Sequence, residues 1–207
     1  KEDLIKHGSQ HTFTLPTVKT VGDRNFSWIK SLQTMRAKNS QLIFDSSGKQ
    51  IINQLDFIAT KQQIKTPITC TQSYSSNEGK THTASMIADI SANQGDKVAL
   101  IDADWYKQAL SKSLSQKVSE VNKNITLIDR DFFQDSPDTS KQYFDNISTL
   151  LGDEQFLTHF DKIVIDMPPY FAAPESLEVM QTADFILLVC KSGYTNLSHF
   201  FDLRERI

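Results

Sequence analysis

Short apolar runs alternate with helical segments from residue 67 onward, and this alternation restricts the fold more than any other feature of the chain. The runs are mostly apolar along their length and do not alternate with polar residues, which is typical of strands that are covered on both faces. Helical segments between them predict βαβ units, and therefore a doubly wound, mostly parallel sheet in a three-layer α/β fold. Five runs are predicted as strands: PITCTQ (67–72), KVALID (97–102), ITLID (125–129), KIVID (162–166) and DFILLVC (184–190).

Helices are predicted before and between these strands. Residues 1–24 are polar and weakly patterned, and LIFDSSGK (42–49) is predicted as an apolar stretch followed by a Ser-Ser-Gly turn. We therefore divide the chain into an N-terminal arm and helix, 1–45, and an α/β domain, 46–207. The predicted helices are 26–38, 50–64, 81–95 with its end at Gly95, 140–160 interrupted near Gly152, 173–183, and 195–207 with Thr195 as the N-cap.

The composition is that of an ordinary globular protein and narrows the class of partner. With a net charge of −3, bulk electrostatics give no indication of binding to nucleic acid or to a membrane surface. The longest apolar runs, about five to seven residues, are too short to span a bilayer. Cys70 and Cys190 are predicted to be reduced and buried in strands, and no Cys/His cluster has the spacing of a metal site.

A candidate phosphate-binding loop, SYSSNEGKTHTA (73–84), lies between the first strand and its helix. The general pattern is G-x-x-x-x-G-K-[ST], and Tyr74 stands where the first glycine is expected. The backbone N–H groups of 76–81 are predicted to face phosphates at the helix N-terminus. Lys80 would reach the β- and γ-phosphates and the Thr81 hydroxyl would coordinate Mg²⁺; the alternative is a surface lysine at a helix start. The residues predicted to bind the nucleotide are Ser76, Asn77, Glu78, Gly79, Lys80, Thr81 and His82.

Two further motifs place carboxylates at predicted strand ends. In VALIDADW (98–105), Asp102 and Asp104 lie two residues apart, so both side chains point to one side of the strand. In KIVIDMPPY (162–170), Asp166 ends a strand that two prolines stop. Such oxygen ligands suit Mg²⁺, and a carboxylate there can accept a hydroxyl proton during phosphoryl transfer. The alternative for the first pair is two solvated aspartates.

Together the three motifs resemble those of the bacterial tyrosine kinases of capsule and exopolysaccharide assembly, which belong to the deviant P-loop group that includes MinD and ParA ATPases. In that family the loop reads S-x-x-P-x-E-G-K-[ST] without a fixed upstream glycine, so Ser73 and EGKT (78–81) match and Tyr74 falls at a tolerant position. FILLVCKSGYTN (185–196) resembles the strand and turn that follow.

The resemblance implies an ATP-dependent protein-tyrosine kinase that regulates capsular or exopolysaccharide synthesis or export. Lys80 and Thr81 would bind phosphate and Mg²⁺, Asp102 would be the base for a tyrosine hydroxyl, and Asp104 and Asp166 would support the metal. It also implies a cytoplasmic protein held at the inner face of the cell membrane by a membrane-embedded polysaccharide co-polymerase or adaptor. The resemblance leaves open whether the chain associates with copies of itself.

The chain departs from the family pattern at several positions. The family often has Pro-Gly where Ser76 and Asn77 stand, His82 replaces a serine or threonine, and Trp105-Tyr106-Lys107 replaces a basic pair. The helix QIINQLDFIA (50–59) lacks the arginines used in ring assembly, and none of the five tyrosines is clustered at the end of the given sequence. A tyrosine cluster beyond Ile207 stays open. These departures favour a second hypothesis, a degenerate, non-catalytic subunit of a polysaccharide or secretion assembly. A third, a MinD/ParA-type ATPase switch, is disfavoured because the loop has no second lysine.

Overall fold

Five parallel strands form one sheet in the order β3-β2-β4-β1-β5. The computed structural model describes residues 40–114, 122–133 and 137–206, so the predicted arm 1–24 and helix 26–38 lie outside the described residues. Every strand pair is parallel, which confirms the predicted three-layer α/β fold. The strands are β1 Ile68–Gln72, β2 Val98–Asp102, β3 Ile125–Ile128, β4 Lys162–Asp166 and β5 Phe185–Leu188.

Helices connect the strands and cover the sheet. Gly95, with a φ of 107°, ends the second helix as predicted. The predicted interruption near Gly152 is also present, and Asp153 caps the short helix that follows it. The helices are α1 Ser40–Gln62, α2 Lys80–Gln94, α3 Ala109–Leu114, α4 Ser140–Leu151, α5 Glu154–Leu157, α6 Leu177–Met180 and α7 Leu197–Arg206. None of these described helices has both the length and the apolar character needed to cross a bilayer.

Alternate residues of the central strands face two separate hydrophobic cores. Leu100 and Val164 pack in the core that includes α1 and α2, whereas Ile101 and Ile165 pack in the core that includes α4. All four side chains are almost completely buried. Because successive strand residues point to opposite faces, a continuous apolar run is needed to supply both cores. This is the physical basis of the runs from which the fold was predicted.

The predicted turn in 42–49 is wrong, because α1 continues through that stretch without interruption. Gly48 is buried against α2, and a Cβ atom there would lie 2.4 Å from Ile90 Cδ1 and 3.0 Å from Met86 Sδ. The glycine therefore allows two helices to approach closely and does not mark a turn. The predicted division of the chain between 45 and 46 falls inside α1 and stays a prediction.

We expect Gly48→Val to destabilise the protein by about 2 kcal/mol, since the added side chain must displace Ile90 and Met86 in a packed core. Chemical denaturation measures the change. Ser46→Val, at an exposed position on the same helix, should change stability by no more than about 0.5 kcal/mol. Equal effects of the two substitutions would show that α1 does not pack closely on α2.

The fifth strand is half-buried, which corrects the prediction of a buried strand over 184–190. β5 lies at the edge of the sheet and pairs with β1 alone, so one side of it is uncovered in the part of the chain that the structure describes. The strand ends at Leu188, and Cys190 beyond it is exposed. Cys70 in the central strand β1 is fully buried, as predicted.

Candidate functional site

The three sequence motifs meet at one edge of the sheet. In the order β2-β4-β1, the strands that carry them are immediate neighbours. Asp102 of β2 is in register with Asp166 of β4, which in turn is in register with Thr71 of β1. Because parallel strands end at the same edge, the loop after β1 and the two carboxylate motifs lie side by side. The expected juxtaposition is thus present in the structure.

The loop between β1 and α2 has the backbone of an anion-binding turn. Asn77 and Gly79 both adopt left-handed conformations, with φ of 63° and 109°. Asparagine and glycine tolerate this region better than other residues, so the sequence fits the shape. Within the described residues, the backbone N–H groups of Ser76, Asn77 and Gly79 donate to no protein acceptor. These donors, next to the N-terminus of α2, make the loop suitable for phosphate.

The side chain of Glu78 holds the loop together from inside. Its carboxylate is buried and accepts hydrogen bonds from the Ser75 N–H at 2.8 Å and from the Thr195 hydroxyl. The predicted nucleotide contact of Glu78 therefore rests on its backbone, since its carboxylate is engaged within the protein. Thr195 was predicted as the N-cap of α7; that prediction is wrong, because Asn196 Oδ1 accepts the Ser198 N–H instead.

Lys80 lies under the loop with its ammonium group inside the protein. Its Nζ donates to Ser73 Oγ at 2.9 Å, and Ser73 Oγ donates to the Ser75 carbonyl at 2.6 Å. Burial lowers the pKa of Lys80, while the nearby carboxylates of Asp166 and Asp104 act in the opposite direction. Lys80 thus joins the loop to the carboxylate motifs electrostatically. Ser73 matched the family pattern without being predicted to contact Lys80.

Asp166 is fully buried, and neither carboxylate oxygen has a partner at hydrogen-bond distance and angle in the described residues, although the Thr81 hydroxyl lies near enough to favour the charged form. Burial raises the pKa of Asp166 to about 8, against the opposing influence of the Thr81 hydroxyl and of Lys80. Buried polar atoms without partners are rare in proteins and usually indicate a missing ion or water. The two carboxylate oxygens of Asp166 therefore fit the role of cation ligands.

The donor set at this position suits Mg²⁺. Thr81, Asp104 and Asp166 offer only oxygen atoms, which are the ligands that Mg²⁺ prefers. Among the described residues no group of three or more His, Cys, Asp or Glu side chains could enclose a metal by itself. Mg²⁺ in nucleotide sites commonly uses one or two carboxylates together with phosphate oxygens, so an incomplete protein shell agrees with that chemistry.

Asp102 is held firmly at the end of β2. Its Oδ2 accepts the Ser111 N–H at 2.9 Å and the Ser111 hydroxyl at 2.7 Å, and its Oδ1 accepts the Asp104 N–H at 3.3 Å. Burial raises the pKa of Asp102, and the bonds from Ser111 counteract that effect. Only 1% of Asp102 is exposed. Asp104 accepts the Lys107 N–H and lies closer to the surface.

Aromatic residues that sequence reasoning missed fix the segment after β2. The Tyr143 hydroxyl donates to the Asp102 carbonyl at 2.5 Å, and the Tyr143 ring lies 5.6 Å from the Trp105 ring. The Arg130 guanidinium lies over the Trp105 ring, 4.3 Å from its centroid, and makes a cation–π contact with it. Trp105 therefore serves packing at a position where the resembling family has a basic residue. No local motif signals these contacts, since they join the end of β2 and the residues after it to the turn after β3 and to α4.

His82 lies in the first turn of α2, and burial lowers the pKa of its imidazole to about 4. The ring is therefore neutral at pH 7. Its predicted contact with the nucleotide stays a prediction.

This shift predicts a loss of stability in acid. A histidine with a folded pKa of about 4 and an unfolded pKa near 6.5 contributes stability above pH 6.5 that is lost as pH falls toward 4. Between pH 8 and pH 5 the protonation of His82 should lower the free energy of unfolding by about 2 kcal/mol. His82→Gln should reduce the pH dependence by that amount in urea denaturation, whereas His159→Gln, at an exposed site, should retain it. An unchanged profile in His82→Gln would contradict the assignment.

A sheet of this order with Gly79-Lys80-Thr81 at the junction of β1 and α2 defines the P-loop class of three-layer α/β proteins. Among solved structures, the BceF tyrosine kinase domain is similar, with 20% identity and a TM-score of 0.65 over 84% of this chain and 76% of that chain. The kinase domain of the Escherichia coli tyrosine kinase ETK has 20% identity and a TM-score of 0.62, over 79% and 69%. The chimerical protein CapA2B2 has 14% identity and a TM-score of 0.64, over 99% and 91%.

These similarities establish the fold that the chain shares with bacterial tyrosine kinase domains, and they agree with the resemblance that the sequence motifs indicate. No model of a known protein family matches the chain, and no curated protein sequence matches it. The roles of individual site residues therefore rest on the geometry described above.

Proposed function

We propose that the chain binds ATP with Mg²⁺ and transfers the γ-phosphoryl group to a protein tyrosine. The observation that carries this proposal is the meeting of three features at one edge: a loop whose N–H groups donate to no acceptor in the described residues, the buried ammonium of Lys80, and the buried carboxylate of Asp166. Together they supply donors for phosphate, a positive charge for the β- and γ-oxygens, and acceptors for a cation. The names of the similar kinase domains support the choice of phosphoryl transfer.

Each residue has a defined part in this proposal. The N–H groups of 76–79 and the N-terminus of α2 would hold the phosphates, and Lys80 would leave Ser73 to contact the β- and γ-oxygens. Thr81, Asp104 and Asp166 would hold Mg²⁺, which supplies charge neutralisation on the phosphates when it is bound. Positioning and electrostatics of this kind account for most of the rate in phosphoryl transfer.

Asp102 is the candidate acceptor for the tyrosine hydroxyl proton. In the described structure its oxygens accept from Ser111 and from the Asp104 N–H, and the side chain is almost inaccessible. Proton transfer needs hydrogen-bond reach between base and hydroxyl. We infer that the segment carrying Ser111 shifts when the acceptor tyrosine enters, which would free one oxygen of Asp102.

We propose the cellular role that the resemblance of the sequence motifs implies. That role is regulation of capsular or exopolysaccharide synthesis or export through a membrane-embedded co-polymerase, and the similar tyrosine kinase domains support its kinase part alone. We place the protein at the inner face of the cell membrane through that partner. The division into an arm, 1–45, and a P-loop domain, 46–207, is retained as part of this proposal.

A second candidate function is a nucleotide-binding subunit without kinase activity. The enclosure of Asp102 by Ser111 favours it, because a base that stays buried cannot reach a substrate hydroxyl. The departures of the loop from the family pattern support the same reading.

Phosphoryl transfer to a tyrosine-containing polymer separates the two functions. We expect wild-type protein to transfer phosphate from Mg·ATP, and Asp102→Asn to reduce kcat by about 100-fold or more with little change in nucleotide affinity. Ser198→Ala, at an exposed position of α7, is the control. Wild-type protein that binds Mg·ATP and transfers no phosphate would overturn the kinase proposal in favour of the second candidate.

A further inference from the structure

The part of the chain that follows β5, made of the segment 189–196 and α7, contacts the phosphate loop at both ends of the loop. Near the end of the loop, the Thr195 hydroxyl donates to Glu78 Oε1. Near the start of the loop, the ring of Tyr74 stacks on His199 of α7, with centroids 4.2 Å apart and planes 18° apart. Two residues of the loop are thus tied to one segment that follows the edge strand.

The start of the loop is also fixed from its other side. The Tyr170 N–H donates to the Ser73 carbonyl at 2.9 Å, and the Phe171 N–H donates to the Tyr74 carbonyl at 3.3 Å. The ring of Tyr74 lies 6.0 Å from that of Phe171. Tyr74 therefore sits between α7 and the segment after β4, and its side chain makes contacts that a glycine cannot make.

The loop needs such external support. Its N–H groups at 76, 77 and 79 have no protein acceptor in the described residues, and two of its residues are in left-handed conformations. Two bonds order the loop from within: the Ser75 N–H donates to Glu78 Oε2 at 2.8 Å, and Ser73 Oγ donates to the Ser75 carbonyl at 2.6 Å. Thr195 holds the other oxygen of the same carboxylate, so loss of Thr195 frees Glu78 to rotate away from Ser75.

We propose that Thr195 is a positioning residue for the phosphate loop, acting through Glu78, and that the stack of Tyr74 on His199 is a second tie with the same effect. The inference rests on the proposed nucleotide site, and it gives Tyr74 a role in place of the expected glycine. The Thr195 hydroxyl is well suited, because it accepts the Lys191 N–H at 2.8 Å while it donates to Glu78. Serine can keep both bonds and valine can keep neither.

The test compares Thr195→Val, Thr195→Ser and the control Thr182→Val in the full chain. Thr182 is also half-buried and its hydroxyl donates to the Val179 carbonyl at 2.7 Å, away from the loop. Calorimetric titration with Mg·ADP gives the affinity, and hydrogen–deuterium exchange gives the protection of amides 74–79. We expect Thr195→Val to weaken Mg·ADP by about tenfold and to raise loop exchange by a similar factor, since the acceptor is a carboxylate. Thr195→Ser and Thr182→Val should resemble wild type.

The outcomes separate this inference from the proposed function. If wild-type protein does not bind Mg·ADP, the nucleotide site is overturned, and loop exchange in Thr195→Val against Thr182→Val then decides the role of Thr195 alone. Unchanged affinity and exchange in Thr195→Val would overturn the inference. Equal loss in Thr195→Ser and Thr195→Val would also overturn it, because the hydroxyl would not be the reason.

The second tie has its own test in a double-mutant cycle of Tyr74→Leu and His199→Leu. We expect each substitution to weaken Mg·ADP by a few-fold and the double variant to be no weaker than the worse single one. If the two single losses of Mg·ADP affinity multiply in the double variant, Tyr74 and His199 act independently and the stack does not support the loop.

Discussion

Asp166→Asn is expected to make the folded protein more stable while it abolishes Mg²⁺-dependent nucleotide binding. The Asp166 carboxyl group is fully buried, and burial raises its pKa to about 8 against the opposing influence of the Thr81 hydroxyl and of Lys80. Charging such a group inside the protein costs free energy that the unfolded chain does not spend. The neutral amide of asparagine removes that cost, and it also removes an anionic ligand of the metal.

The pH dependence of this gain has a defined sign. A carboxyl group with a folded pKa raised above its unfolded value contributes most to the free energy of unfolding below about pH 4. That stabilisation is lost as pH rises through the folded pKa. We therefore expect Asp166→Asn to be more stable than wild type by about 3 kcal/mol at pH 8, with the difference shrinking toward pH 4. Thermal unfolding should show a rise in Tm of roughly 5–10 °C at pH 8.

Asp138→Asn, at an exposed position, provides the matched control and should leave Tm unchanged. A lower Tm for Asp166→Asn at pH 8 would contradict the view that burial makes the charged form of this carboxylate unfavourable in the folded protein.

Lys80→Met is expected to act on stability in the opposite direction. The ammonium group lies within electrostatic reach of Asp166, Asp104 and Glu78, and all three carboxyl groups are buried. Methionine fills a similar volume without the charge, so the carboxylates lose their shared cation. Removing one partner of a buried charge cluster usually destabilises by several kcal/mol, and we expect about 2 kcal/mol because burial already lowers the pKa of Lys80.

The same substitution should weaken Mg·ATP by at least about 100-fold, since a charged contact to the β- and γ-oxygens is lost. Lys49→Met, on the exposed side of α1, is the control for loss of a positive charge. Lys80→Met protein with unchanged stability and unchanged affinity would place Lys80 outside the site. Asp166→Asn and Lys80→Met thus share a defect in binding and differ in the sign of their effect on stability.

The strands and the phosphate loop could be predicted because their signals are local. A continuous apolar run is required of any strand covered on both faces, and Gly79-Lys80-Thr81 follows the first run directly. The meeting of Asp102, Asp104 and Asp166 near Lys80 then followed from parallel strands that end at one edge. The two prolines after Asp166 stop its strand, and they place that carboxylate at the strand end already at the level of sequence.

The contacts that were missed join residues far apart in the chain. Thr195 and Glu78 are separated by 117 positions, and no local pattern marks either residue as a partner of the other. The sequence predicts a turn at Gly48 because glycine signals both turns and close helix packing, and only the position of α2 distinguishes the two. Cys190 was placed in a buried strand because the apolar run continues past Leu188, although β5 is an edge strand.

The central claim is that the loop after β1 is a working phosphate site despite Tyr74 in place of a glycine. Calorimetric titration of the wild-type chain with ATP, in Mg²⁺ and again in EDTA, tests it most directly. We predict a one-to-one isotherm in Mg²⁺ that weakens strongly in EDTA, because Asp166 and Asp104 would face the phosphates without a cation. Folded protein that gives no binding heat in either condition, and no protection of loop amides by nucleotide, would contradict the claim.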